Sequence, residues 1–159
     1  MRSYYFILES HLRRRMKNAT EPMYLSLLSG IGWGNGYVLV DKSHEWYGVH
    51  YDSINADVHG GLTLSENFNS IDIDDWFADC EFKLSNDMDE IVKSNGYKAF
   101  DNYWLIGFDT GHAGDGPHID KEYVWNETEK LYKQYIEASN VSQRKKKLKN
   151  IKKLLQKKE

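Results

Sequence analysis

Two short segments are dense in side chains that bind and react. The first is Asp57-Val-His59-Gly60-Gly61-Leu-Thr63. The second is Gly107-Phe-Asp109-Thr110-Gly111-His112-Ala-Gly114-Asp115. Glycine lets a ligand reach backbone N–H groups and takes up the positive φ of a tight loop. Histidine donates to phosphate, acts as a base or ligates a metal. Aspartate accepts from ribose hydroxyls or holds a cation. Trp33, Trp46 and Trp104 offer stacking surfaces for a base. The candidate ligand-binding set is therefore His59, Gly60, Gly61, Thr63, Trp104, Asp109, Thr110, His112 and Asp115. Each residue alone also fits an ordinary structural role, such as a bulge, a turn cap or a core histidine. It is the pairing of two such clusters that points to a pocket. Neither segment is a phosphate-binding P-loop, a dinucleotide fingerprint or an H-E-x-x-H zinc motif. No catalytic residue, metal ligand or cofactor is assigned.

These loops need elements to hold them. Tyr4-Tyr-Phe-Ile-Leu predicts a short strand entering a helix marked by Leu8, Leu12 and Met16. Met23-Tyr-Leu-Ser-Leu-Leu reads as a strand, followed by glycines at 30, 32, 34 and 36 and the run Tyr37-Val-Leu-Val. Strand, glycine turn, strand predicts a β-hairpin. Ala56 to Leu64 reads as a strand broken by Gly60-Gly61. Residues 66–102 are polar and acidic, with a short helix over 87–95 capped by Asp87. Tyr103-Trp-Leu-Ile-Gly-Phe predicts a central strand. Asp120 caps a helix whose face is Tyr123, Val124, Glu127, Leu131, Tyr135 and Ile136. The expected fold is α+β, a small antiparallel sheet packed against one long helix. It comprises a single domain over 1–138 and a basic amphipathic helical tail over 139–159.

The whole chain has 159 residues, a net charge of −3 and one cysteine. One cysteine excludes an internal disulfide framework. Cys80 lies among acids, which disfavours a reactive thiolate. No apolar run is long enough to span a membrane. Arg13 to Arg15 follow the first apolar stretch rather than preceding it, which is the wrong order for a secretory signal. A cytoplasmic location is expected, where the sequons at Asn18, Asn126 and Asn140 carry no consequence. Charge is segregated. Residues 41–129 hold 20 acidic and 5 basic side chains, and residues 139–159 hold 9 basic and 1 acidic. The acidic block repels phosphate backbones, so direct nucleic-acid binding is expected only through the tail. There, Leu148, Ile151, Leu154 and Leu155 fall at helical spacing. Such a helix can dock on an acidic face, join a second copy into a homo-oligomer, or touch nucleic acid or anionic lipid.

Gly36-Tyr-Val-Leu-Val, Tyr51-Asp, the Val-His-Gly-Gly-Leu-Thr segment and Trp104-Leu-Ile-Gly-Phe-Asp-Thr-Gly-His-Ala-Gly-Asp, in that order, resemble a family of small bacteriophage and prophage proteins. The resemblance spans residues 34–138. The chain departs from it at Thr110, where the family favours cysteine, in the acidic insert at 66–102 and in the basic tail. The resemblance implies a phage accessory protein acting in the host cytoplasm, a class that often counters host immunity. It implies no particular reaction.

Three functions compete. The first is a protein that binds and sequesters a small nucleotide-like signalling molecule in the Gly/His/Asp pocket. The second is a metal-dependent hydrolase of a phosphoester or glycosidic bond, with His59, Asp109, His112 and Asp115 around a divalent ion. The third is an acidic inhibitor of a host defence enzyme, centred on Asp72, Asp74, Asp75 and Asp79. Binding leads, because the loops resemble a pocket and no full catalytic signature is present.

Overall fold

The computed structural model describes residues 2–16 and 22–158. Asn18 and its sequon lie outside them. In chain order the elements are strand β1 (Tyr5–Glu9), helices α1 (His11–Arg15) and α2 (Pro22–Leu28), and strands β2 (Gly34–Val40) and β3 (Leu64–Asn67). Helix α3 (Ile73–Trp76), strand β4 (Phe82–Leu84), helix α4 (Asn86–Asn95), strand β5 (Trp104–Phe108) and helix α5 (Lys121–Gln156) follow. The strands form one antiparallel sheet in the order β3-β5-β2-β1-β4. The α+β expectation holds.

Side-chain alternation explains the layering. Ile7, Val38, Val40, Ile106 and Phe108 point to one face and meet Val124, Leu131 and Tyr135 of α5. Phe6, Leu8, Tyr37, Leu39 and Leu105 point to the other. That second face is covered by Phe68, Ile71, Met88 and Phe100, all supplied by the acidic segment. With both faces buried, β1, β2 and β5 read as continuous apolar runs rather than alternating ones. The polar 66–102 stretch is thus the sheet's second cover. Its helix begins at Asn86, and Asp87 does not cap it. Asp87 instead accepts from the Ser3 backbone N–H at 2.7 Å, while Ser85 holds the cap position.

Three local readings are corrected. Residues 22–28 are helical, with Pro22 at the first helical position, where a missing N–H costs nothing. No hairpin precedes β2, whose partners are β1 and β5. Gly34 and Gly36 lie within that strand. A Cβ on Gly36 would overlap Thr128 Oγ1 and the Phe108 ring, so the missing side chain lets α5 cross close over the sheet. Residues 56–63 form a loop, and the strand starts only at Leu64.

Asp120 caps α5 as expected, accepting from the Tyr123 N–H at 2.9 Å. Val124, Thr128, Leu131 and Tyr135 are buried along its first half. A fully buried apolar side chain contributes roughly 1.5–3 kcal/mol, which pins this half to the sheet. The helix runs unbroken through residues 138 and 139, and every residue from Gln143 to Lys158 is exposed. Among the described residues, no helix is long and apolar enough to cross a membrane.

Candidate functional site

The loop before β3 and the loop after β5 converge beside the first turns of α5. Gly60 (φ +67°) and Gly61 (φ +79°) turn the first loop tightly, and the Gly61 N–H donates to Val58 O at 2.9 Å. Helix α5 clamps this loop twice. Glu127 Oε1 accepts from the His59 N–H at 3.0 Å, and the Gln134 amide pairs with both backbone groups of Asp57 at 2.7 Å. The second loop is tied to the residues before β2. Gly32 N–H donates to Thr110 O at 2.7 Å, and Thr110 Oγ1 donates to Gly34 O at 2.7 Å.

His59 sits where the two loops meet. Its Nε2 lies 2.8 Å from Asp115 Oδ1 and its Nδ1 lies 2.9 Å from the Tyr123 hydroxyl. An ionised carboxylate only accepts, so Nε2 carries the proton. In the neutral ring, Nδ1 then accepts from Tyr123. Asp115 Oδ2 also accepts from the His112 backbone N–H at 3.0 Å. The result is an Asp115–His59–Tyr123 relay. The His59 side chain is 16% exposed and that of Asp115 is 7% exposed, so solvent screens the pair weakly. Burial alone would raise the Asp115 carboxyl. The hydrogen bonds from His59 and His112 outweigh burial and hold it below the ordinary carboxylate range. Burial first, then the nearby Glu127 charge, push the Tyr123 phenol up, so it is a hydrogen-bond donor rather than a phenolate.

His112 packs over Gly60, whose absent Cβ leaves room for the imidazole. Its Nε2 is 2.8 Å from Asp109 Oδ1, but off the N–H direction, so the atom is buried without an aligned hydrogen bond. Asp109 connects this cluster to a groove on the opposite side of the sheet from α5. Three adjoining depressions of about 310, 250 and 200 Å³ share Asn35. Asp109, Thr110 and Gly111 line the first, and His11, Arg14 and Trp76 the second. Thr63 and Asp109 border the third. Tyr37 forms part of the floor. Burial pushes its phenol up, against a smaller lowering by a hydrogen bond with Asn35. The Arg14 guanidinium is anchored on three backbone carbonyls, those of Glu9, Asp75 and Ala78.

The structure thus brings together His59, Gly60, His112, Asp109 and Asp115, with Thr63 on the groove wall. Thr110 is 2% exposed and its hydroxyl is occupied by Gly34, so it braces the loop. Gly61 turns the loop beyond the histidines. Trp104 opens β5, four residues from Phe108, or about 13 Å along the strand. Its Nε1 donates to Val49 O at 3.1 Å, away from the cluster. Trp33 and Trp46 are each 6% exposed within the core and offer no stacking face. Sequence reasoning missed Tyr123 and Glu127 as site residues, although they stand four apart on the face it assigned to α5. It also missed Asn35, Arg14 and Trp76, which only the sheet brings to Asp109. Among the described residues, no three His, Cys, Asp or Glu side chains are arranged to hold a metal ion. The Asp115 carboxylate is turned to His59 and the Asp109 carboxylate to His112.

No protein-family model matches the chain, and no curated protein or solved structure matches it significantly.

Proposed function

We propose that this chain binds a small nucleotide-like ligand in the Asn35 groove and holds it without turnover. The observation that supports this reading is the polarity of the groove. Arg14 and His11 stand at one end beside the half-buried Trp76, and Asp109 stands at the other, backed by His112. Arg14 would neutralise a phosphate, preoriented by its backbone carbonyls. Trp76 would stack on the base. Asp109 and Asn35 would take ribose hydroxyls or a base edge. This arrangement answers the acidic block in part, because Arg14 brings a positive charge to the phosphate end beside the exposed Asp75. The His59 relay lies behind His112 and fixes that wall. A metal-dependent hydrolase finds less support, since the four residues it needs do not converge on one point.

The test incubates the protein with cyclic and linear nucleotides, then releases bound material by heat and identifies it by mass spectrometry. Intact nucleotide depleted from solution is expected. Asp109→Ala and Trp76→Ala should each weaken calorimetric affinity about tenfold or more, as expected for loss of a charge-assisted hydrogen bond or a stacking face. Recovery of a converted product would replace sequestration with catalysis. Absence of binding, or binding indifferent to both substitutions, would end the reading.

A further inference from the structure

The distal half of α5 is an amphipathic helix with none of the described residues packed against it. Of the seven large apolar side chains exposed among the described residues, five lie there: Val141, Leu148, Ile151, Leu154 and Leu155. At 100° per residue they share one stripe. Lys146, Lys149 and Lys153 occupy the opposite side, Lys145 and Lys152 flank the stripe, and Arg144 and Lys147 fall within its arc. The last side-chain tie to the body is Ser142 Oγ donating to Glu45 at 2.8 Å. Beyond it, residues 143–156 extend about 21 Å as helix. An exposed stripe of this kind marks an interaction surface.

The complement lies on the same chain. Asp72, Asp74, Asp75 and Asp79 are all exposed around α3. Amid them stands Phe82 of edge strand β4, 43% exposed, its ring edge-on to Phe77 at 5.1 Å. The neighbouring Glu81 is engaged by Lys121 at 2.9 Å, and Arg14 reaches only backbone carbonyls there. An exposed apolar ring packed on Phe77, next to the aspartate-rich α3 segment, matches an apolar stripe flanked by lysines. The α5 helix is continuous, and every residue from Gln143 to Lys158 is exposed, so its distal half does not lie on this patch within one chain. We infer that the distal half of α5 docks on the α3–β4 patch of a second copy of this chain. Reciprocal docking of two tails closes a two-fold dimer. Tail-to-tail pairing is disfavoured by nine positive charges on each helix.

Sedimentation velocity of the full chain tests this. Dimer is expected at tens of micromolar, dissociating as salt rises from 0.05 to 0.5 M. Two charge-reversed chains sharpen the test. One carries Lys145→Glu, Lys146→Glu, Lys149→Glu, Lys152→Glu and Lys153→Glu; the other carries Asp74→Lys, Asp75→Lys and Asp79→Lys. Each alone should be monomeric, and their equimolar mixture should dimerise again. Phe82→Ser should weaken association at least tenfold while leaving the circular dichroism unchanged. A wild-type chain that stays monomeric overturns the inference. So does a dimer insensitive to the body substitutions, which would mean tail-to-tail pairing. Binding to phosphatidylserine vesicles or duplex DNA by a chain that remains monomeric would also overturn it, and would assign the helix to that partner.

Discussion

Gly60 and Gly61 share a left-handed backbone but not a neighbourhood. A Cβ on Gly61 meets nothing within 4 Å, whereas one on Gly60 overlaps the His112 ring. Gly61→Ala therefore adds only the backbone penalty, about 1–2 kcal/mol. Gly60→Ala adds the same penalty and also displaces His112 from between the two loops. Urea denaturation should rank Gly60→Ala as the more destabilising. Histidine side-chain NMR should show His112 resonances shifted in Gly60→Ala and near wild type in Gly61→Ala. Equal costs with unshifted resonances would mean that His112 does not rest on Gly60. The same comparison separates a glycine needed for a turn from one needed for a close approach. Sequence reading found both residues without distinguishing these roles.

His44 couples elements rather than loops. It fixes the turn after β2 to α5 by donating from Nε2 to Tyr135 O at 2.8 Å, and its Nδ1 accepts from Trp46 N–H at 3.0 Å. Its ring also stacks on Tyr135 at 4.1 Å. A second proton would sit on Nδ1, facing an N–H. Burial lowers the imidazole below its ordinary value of 6.5, and the Tyr135 hydrogen bond and the Glu45 and Asp41 charges only partly offset it. A depressed folded value means the unfolded chain binds the proton more readily. The stability contribution is complete above about pH 6.5 and declines as pH falls toward the folded value. Thermal unfolding should show Tm falling between pH 7 and pH 5. His44→Gln, less stable at neutral pH, should show a shallower fall. Parallel slopes would place the titration elsewhere.

What the sequence made legible also sorts by element. The long periodic signal of α5 is legible with its Asp120 cap, and so are the five-residue apolar runs of β1 and β5. The run before β2 is not. Met23 to Leu28 has too few residues for periodicity to separate helix from strand, and the better clue was Pro22. Strands β3 and β4, of four and three residues, are held by pairing with β5 and β1 rather than by their own composition. The two clusters are legible in the sequence as loops near strand ends, but the pairing of His59 with Asp115 is not. Their joining by Tyr123 depends on where α5 crosses the sheet, which no local pattern encodes.

At the scale of the molecule, α5 is two physical objects in one helix. Residues 124–135 bury a face on the sheet, while residues 143–158 bury nothing within the chain. A free helix of about 15 residues is marginal in water. Here Lys145–Lys149, Lys149–Lys153 and Lys153–Lys157 are like-charge pairs four apart, each unfavourable by roughly 0.2–0.5 kcal/mol. Tertiary packing therefore decides which half persists. Amide exchange at low salt, on chain dilute enough to be monomeric, should show protection near the global unfolding free energy for 124–135 and almost none for 143–156. Raising salt screens the lysines and should increase protection in the distal half alone, because the proximal half is already limited by global unfolding. Uniform protection along α5 in a dilute monomer would show that the basic half carries enough intrinsic stability to stand unaided. In that case the packing argument for its dependence on a partner would fail.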